Sequence, residues 1–167
     1  YDINLKFKGS LRENQLKPVN AFLKSCEEGG TYSSQSYGGI LSLPCGYGKT
    51  ICALYLLAKL GKKTIIVVHK EFLMEQWIER IEQFLPDARI GIIQQNKVKV
   101  QGKDIVIAMI QSISMKNYPM EIFDQFGLSI FDECHHISSQ VFSRCLPKVG
   151  NKYMLGLSAT PKRKDGL

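Results

Sequence analysis

The sequence predicts an α/β domain in which helices cover both faces of a mostly parallel sheet. Three observations carry that prediction. Short apolar runs rich in β-branched residues alternate along the chain with stretches of helical periodicity. Several of those runs are apolar at every position, as strands covered on both faces must be. Proline and glycine sit where runs end, as at Pro44 and Gly61.

The elements follow in order. A helix is expected from about Asn14 to Glu28, with Pro18 harmless if it falls in the first turn. Ser10-Leu11-Arg12-Glu13 is an alternative capping box that would start this helix earlier. The stretch 28–38 is rich in Gly, Ser and Tyr and reads as a surface loop, so 1–38 forms an N-terminal extension. Gly39–Leu43 is the first strand. Ile51–Leu60 is apolar almost all round, which predicts a buried helix, and Gly61 suits its end. Thr64–Val68 is a β-branched strand. Glu71–Phe84 places Leu73, Trp77, Ile81 and Phe84 on one stripe with charges opposite, the pattern of a helix lying on a core. Further strands are expected at Arg89–Ile93, Asp104–Ala108, Leu128–Phe131 and Tyr153–Leu157. Lys97, Lys99 and Lys103 cluster around a turn and read as a solvated hairpin, with a nucleic-acid contact as the alternative.

Composition narrows the class. The chain has 167 residues, 44% hydrophobic and 22% charged, which disfavours a disordered or fibrous protein. No apolar run approaches the roughly 18 residues that a membrane-spanning helix needs. The first residues lack the apolar core of a secretory signal and an initiating Met, so a piece of a longer chain is expected. A net charge of +7 suits a polyanionic partner such as nucleic acid. Cys26, Cys45, Cys52, Cys134 and Cys145 are odd in number and show no CxxC pairing, so free thiols inside a cell are the better reading.

Two motifs carry chemistry, and each follows a predicted strand. Leu43-Pro44-Cys45-Gly46-Tyr47-Gly48-Lys49-Thr50 opens the buried helix. Its glycines let successive backbone N–H groups turn inward, and the helix start adds partial positive charge. Lys49 can then reach the β- and γ-phosphates of a nucleotide, and the Thr50 hydroxyl can ligate Mg²⁺. Leu43 stands where the usual phosphate-loop pattern has a glycine. The second motif is Asp132-Glu133-Cys134-His135-His136. A carboxylate at a strand end suits the metal, and its neighbour can orient or deprotonate water. Asp132 is therefore assigned to Mg²⁺ and Glu133 to the attacking water. A zinc site from Cys134, His135, His136 and Cys145 is disfavoured, because three consecutive residues do not readily share one tetrahedral ion.

Taken together, these residues resemble superfamily 2 helicases and translocases. Cys45–Thr50 looks like their motif I, Asp132-Glu133-Cys134-His135 like motif II of the DExH type, and Ser158-Ala159-Thr160-Pro161 like motif III. Val67–Trp77 is similar to motif Ia, and Ala108–Ser112 to the next strand-end motif. Leu11-Arg12 with Gln15 resembles the adenine-recognising Q-motif region. The motifs stand in family order from about Leu11 to Leu167. Their details look closest to the branch holding the TFIIH-type translocase, the phage UvsW helicase and helicases of large DNA viruses.

That resemblance implies the first RecA-like, three-layer phosphate-loop domain of an ATP-driven motor, spanning 1–167, with the second RecA-like domain and its arginine finger outside this chain. By itself the chain is therefore expected to hydrolyse ATP slowly. Implied ATP contacts are Arg12, Gln15, Pro44, Cys45, Gly46, Tyr47, Gly48, Lys49 and Thr50. His135, Ser158, Ala159 and Thr160 would couple nucleotide state to nucleic-acid grip. His69, Lys70, Gln111 and Ser112 would hold the nucleic-acid backbone, DNA rather than RNA by branch resemblance. Trp77 can stack a base in principle, but its place on the apolar stripe favours the core. A nucleotide-dependent binding module with little turnover, an RNA helicase and a phosphate-loop kinase are the alternatives. Nothing in the sequence supplies a kinase's acceptor site.

Overall fold

The computed structural model describes residues 7, 20, 37–42, 49–94, 97–115, 126–133, 138, 140 and 153–158. Of the expected helix over 14–28 only Asn20 is described, and it is helical and exposed; the rest lies outside the described residues. The described chain forms a seven-stranded sheet: β1 (Tyr37–Ser42), β2 (Thr64–Val68), β3 (Ile90–Gln94), β4 (Lys97–Lys99), β5 (Ile105–Met109), β6 (Leu128–Phe131) and β7 (Tyr153–Ser158). Their order across the sheet is β1-β7-β6-β2-β5-β3-β4. Every neighbouring pair is parallel except β3 with β4. Three helices are described: α1 (Lys49–Leu60), α2 (Glu71–Phe84) and α3 (Ile110–Met115).

The centre of the sheet is β2, buried at all five positions between β5 and β6. Because side chains alternate across a strand, β2 serves two cores. Ile66 and Val68 pack with α1 and α2, among them Leu54, Leu57, Trp77 and Ile81. Ile65 and Val67 pack on the other face with Ile113 and Phe126. Complete burial on both faces explains why this strand reads as an unbroken β-branched run.

Helix α1 starts at Lys49, two residues earlier than the apolar pattern suggests, and buries Cys52, Ala53, Leu54, Leu56 and Leu57. Gly61 ends it at φ 65°, where its N–H donates to the Leu57 carbonyl at 2.9 Å. That left-handed stop is one glycine accepts without a Cβ penalty. Helix α2 matches its expected limits and buries Leu73, Met74, Trp77 and Ile81. Phe84 is only partly buried, and Phe7 stacks on it with ring centroids 5.5 Å apart.

Three differences from the sequence reading have simple causes. β1 begins at Tyr37, inside the stretch expected to be loop, because Tyr37 and Gly38 pair with Tyr153 and Met154 of β7. The lysine cluster does form a hairpin, but one that adds an antiparallel strand, with Lys97 and Lys99 exposed and Val98 against the second core. A charged, three-residue strand is a common way to blunt a sheet edge. Ile110–Met115 is helical where only a strand-end loop was expected, because Ile110 and Ile113 both turn into the second core.

The amino-terminal edge of the sheet is held by charge. Asp104 accepts the Arg89 backbone N–H at 2.9 Å and pairs with the Arg89 guanidinium at 3.1 Å. Burial pushes the Asp104 carboxyl up, but its hydrogen bonds from Arg89, with the Arg89 and Lys63 charges, outweigh burial and hold it below the ordinary carboxylate value. Lys63 is buried and donates to the Val100 carbonyl at 3.0 Å, and burial lowers its pKa.

Candidate nucleotide site at the carboxyl edge of the sheet

Parallel strands deliver their carboxyl ends to one edge, where ligands of open α/β sheets bind. At that edge β2 runs into His69, β5 into Ile110, and β6 into Asp132. The last residues of β1 and β7, Ser42 and Ser158, are register partners there. The Asp132 N–H donates to the Val67 carbonyl at 3.0 Å, so the ladder with β2 runs one residue past β6 and fixes the Asp132 backbone.

The first turn of α1 brings the basic half of the site to this carboxylate. Lys49 Nζ lies 3.7 Å from Asp132 Oδ1. That is an ion pair without a hydrogen bond. The Asp132 side chain is buried, and among the described residues Oδ1 has no hydrogen-bond partner. Oδ2 is held: the indole N–H of Trp77 donates to it at 2.8 Å. Thr50, Asp132 and Trp77 line one cleft of about 220 Å³ together with Gln76, Glu79 and Arg80 of α2.

A buried carboxylate oxygen without a hydrogen bond among the described residues, with Thr50 lining the same cleft, gives hard-oxygen donors of the kind that fit Mg²⁺. Glu133 follows Asp132 in a left-handed conformation at φ 47° and is partly exposed. Such a φ costs a non-glycine residue roughly 1–2 kcal/mol. Strain of this kind gathers at functional turns.

Lys49, Thr50, Asp132 and Glu133, predicted separately from motifs more than 80 positions apart, thus converge on one edge. His69 and Gln111 also meet: the Gln111 side-chain amide donates to the His69 carbonyl at 3.0 Å. Lys70 and Gln111 are exposed, whereas Ser112 is buried, so direct backbone contact is open to the first two and not to the Ser112 side chain. Trp77 is 1% exposed and belongs to the core, which rules out base stacking by this indole in the fold described. Arg12, Gln15, Pro44, Cys45, Gly46, Tyr47, Gly48, His135, Ala159 and Thr160 lie outside the described residues.

The Trp77–Asp132 bond is the feature sequence reasoning missed. The one available signal was chemical: a buried indole N–H usually finds an acceptor. Which acceptor depends on strand order, since Trp77 and Asp132 are 55 residues apart.

The chain matches the family model described as type III restriction enzyme, res subunit, over residues 8–163. It is 40% identical over 164 residues to a protein of Acanthamoeba polyphaga mimivirus provisionally named an ATP-dependent RNA helicase, covering 98% of this chain and 30% of that protein. It is 36% identical to the DNA 3'-5' translocase XPB2 of Sulfurisphaera tokodaii, covering 97% of this chain and 33% of that one. The chain therefore spans about a third of the length of these relatives. Among solved structures, the Sulfolobus solfataricus SWI2/SNF2 ATPase core in complex with dsDNA matches with a TM-score of 0.72 at 18% identity, covering 99% of this chain and 35% of that one. The bacteriophage T4 UvsW helicase matches with a TM-score of 0.68 at 21% identity, covering 96% of this chain and 56% of that one. Sheet topology, edge chemistry and these likenesses agree: the chain belongs to the type III restriction enzyme res-subunit family and is the N-terminal RecA-like domain of a superfamily 2 helicase.

Proposed function

We propose that this chain binds and hydrolyses ATP as the first motor domain of a helicase or translocase that moves on or remodels DNA. The observation that carries the reading is the approach of Lys49 to Asp132 at the carboxyl edge, with Asp132 Oδ1 left without a hydrogen bond among the described residues.

In this reading the ammonium of Lys49 contacts the β- and γ-phosphates and stabilises charge that builds as the terminal phosphoryl group transfers. Backbone N–H groups of Cys45–Gly48 cradle the phosphates. The Thr50 hydroxyl and Asp132 hold Mg²⁺, which when bound neutralises phosphate charge. Glu133 takes a proton from water as the water oxygen attacks the γ-phosphorus. The bond from that phosphorus to the bridging oxygen breaks, leaving ADP and inorganic phosphate. Arg12 and Gln15 face the adenine in this proposal. His135, Ser158, Ala159 and Thr160 pass the nucleotide state to the nucleic-acid contacts at His69, Lys70 and Gln111. An arginine finger from a second RecA-like domain completes the site in the full-length protein.

The net charge of +7 suits either nucleic acid, and the DNA named for the translocase and SWI2/SNF2 likenesses favours DNA. The mimivirus relative's name favours RNA as the second reading. An ATPase assay on the full-length protein with single-stranded DNA, duplex DNA and RNA tests both. Turnover stimulated by DNA is the expected result. Stimulation by RNA alone replaces DNA with RNA. Tight nucleotide binding without stimulated turnover overturns the motor and leaves a binding module.

A further inference from the structure

Trp77 does more than fill the core. It is 1% exposed and packed among Leu57, Ile66 and Ile81, so the indole is held rigidly by α2. Its one polar atom donates to Asp132 Oδ2 at 2.8 Å, and Asp132 is 4% exposed. The other carboxylate oxygen lies 3.7 Å from Lys49 Nζ with no hydrogen bond among the described residues. A carboxylate turns easily about its last side-chain bond. With Oδ2 bonded to a fixed donor that rotation stops, and Oδ1 stays aimed at the Lys49 side of the cleft. Hydrogen bonds of this sort, one step removed from an ion, orient its ligands and set its affinity.

We propose that Trp77 is a positioning residue for divalent-cation binding: its indole N–H locks the Asp132 carboxylate so that Oδ1 is presented to Mg²⁺ beside Thr50. The inference rests on the nucleotide-site reading above. It assigns to α2 a task at the metal.

The test separates the N–H from the bulk of the ring. One variant is Trp77→Phe. The other replaces Trp77 with benzothienylalanine, whose sulfur stands where the N–H was and whose shape is nearly the same. Trp77 is the sole tryptophan of this chain, so the replacement is specific. Binding of a fluorescent, non-hydrolysable ATP analogue is followed as Mg²⁺ is titrated, and again in EDTA. Both variants should need about 10–100-fold more Mg²⁺ for half-saturation. Metal-free nucleotide affinity should stay as it is. If Trp77→Phe fails to fold, the benzothienylalanine chain decides, because a packing role predicts no change in it. The wild-type chain adds a second readout, since its single indole N–H should exchange slowly with solvent and move in the nitrogen–proton spectrum when Mg²⁺ is added. Unchanged half-saturating Mg²⁺ in the folded benzothienylalanine chain overturns the proposal, as does an indole N–H that exchanges freely. Wild-type protein that binds the analogue without any response to Mg²⁺ sinks the nucleotide-site reading instead, so the two failures are distinguishable.

Discussion

Lys49 and Asp132 meet at 3.7 Å although one opens α1 and the other follows β6, 83 positions later. The pair converts two sequence motifs into one site. Lys49→Ala removes a charge-assisted phosphate contact worth about 1.5–3 kcal/mol, so nucleotide affinity should fall about 10–100-fold. Titration calorimetry of the chain with Mg²⁺-ATP measures this. Undiminished affinity would remove Lys49 from the site.

Glu133→Gln should leave ATP binding intact and slow hydrolysis in the full-length protein by about 10²–10⁴-fold, the usual worth of a positioned proton acceptor. Gln has the same length and the same cost at φ 47°, so the comparison isolates the carboxylate. Rapid phosphate release by this variant in quenched-flow assays would reassign the base.

What the sequence made legible depended on pattern. Thr64–Val68 is apolar or β-branched at every position and Glu71–Phe84 carries one apolar stripe opposite charges, and both appear with their expected limits. Lys97–Lys99 and Ile110–Met115 carry no such pattern, and tertiary packing of Val98, Ile110 and Ile113 decides them. The same divide runs through the site. Lys49, Thr50, Asp132 and Glu133 were legible because each sits at a strand or helix end, where local pattern reveals position. The Trp77–Asp132 and Arg89–Asp104 bonds were not, because each joins separate elements whose adjacency follows from strand order alone.

Gly91→Ala sets two effects against each other. In a strand interior, alanine is favoured over glycine by roughly 0.5–1 kcal/mol. At this position a Cβ would collide with the Lys99 carbonyl and come within 2.8 Å of the Lys103 side chain. The carbonyl belongs to the β3–β4 ladder and moves only if the hairpin opens. Overpacking of about 1–3 kcal/mol should therefore win, giving a net loss of stability in urea unfolding. A gain would mean that the edge strand yields freely. Nucleotide affinity should not change, because β3 and β4 stand at the opposite end of the sheet order from β1, whose carboxyl end leads to the phosphate loop.

Asp104 provides a pH test with a defined sign. Its folded carboxyl lies below the ordinary value of 3.8, despite burial that would raise it, because Arg89 donates from backbone and side chain. A group with a depressed folded pKa binds protons more readily when the chain unfolds. Its contribution to stability is therefore complete above about pH 4 and disappears as the pH falls from there through the folded value. Asp104→Asn should be less stable than wild type at neutral pH, with the gap closing in acid, when urea midpoints of the two are compared across that window. The guanidinium of Arg89 is largely exposed and its part should weaken in high salt, whereas the backbone N–H bond at 2.9 Å is short-ranged and should not. A gap that persists unchanged into acid would show that the Asp104 charge contributes nothing to the fold. A gap abolished by salt at neutral pH would assign the whole effect to the guanidinium.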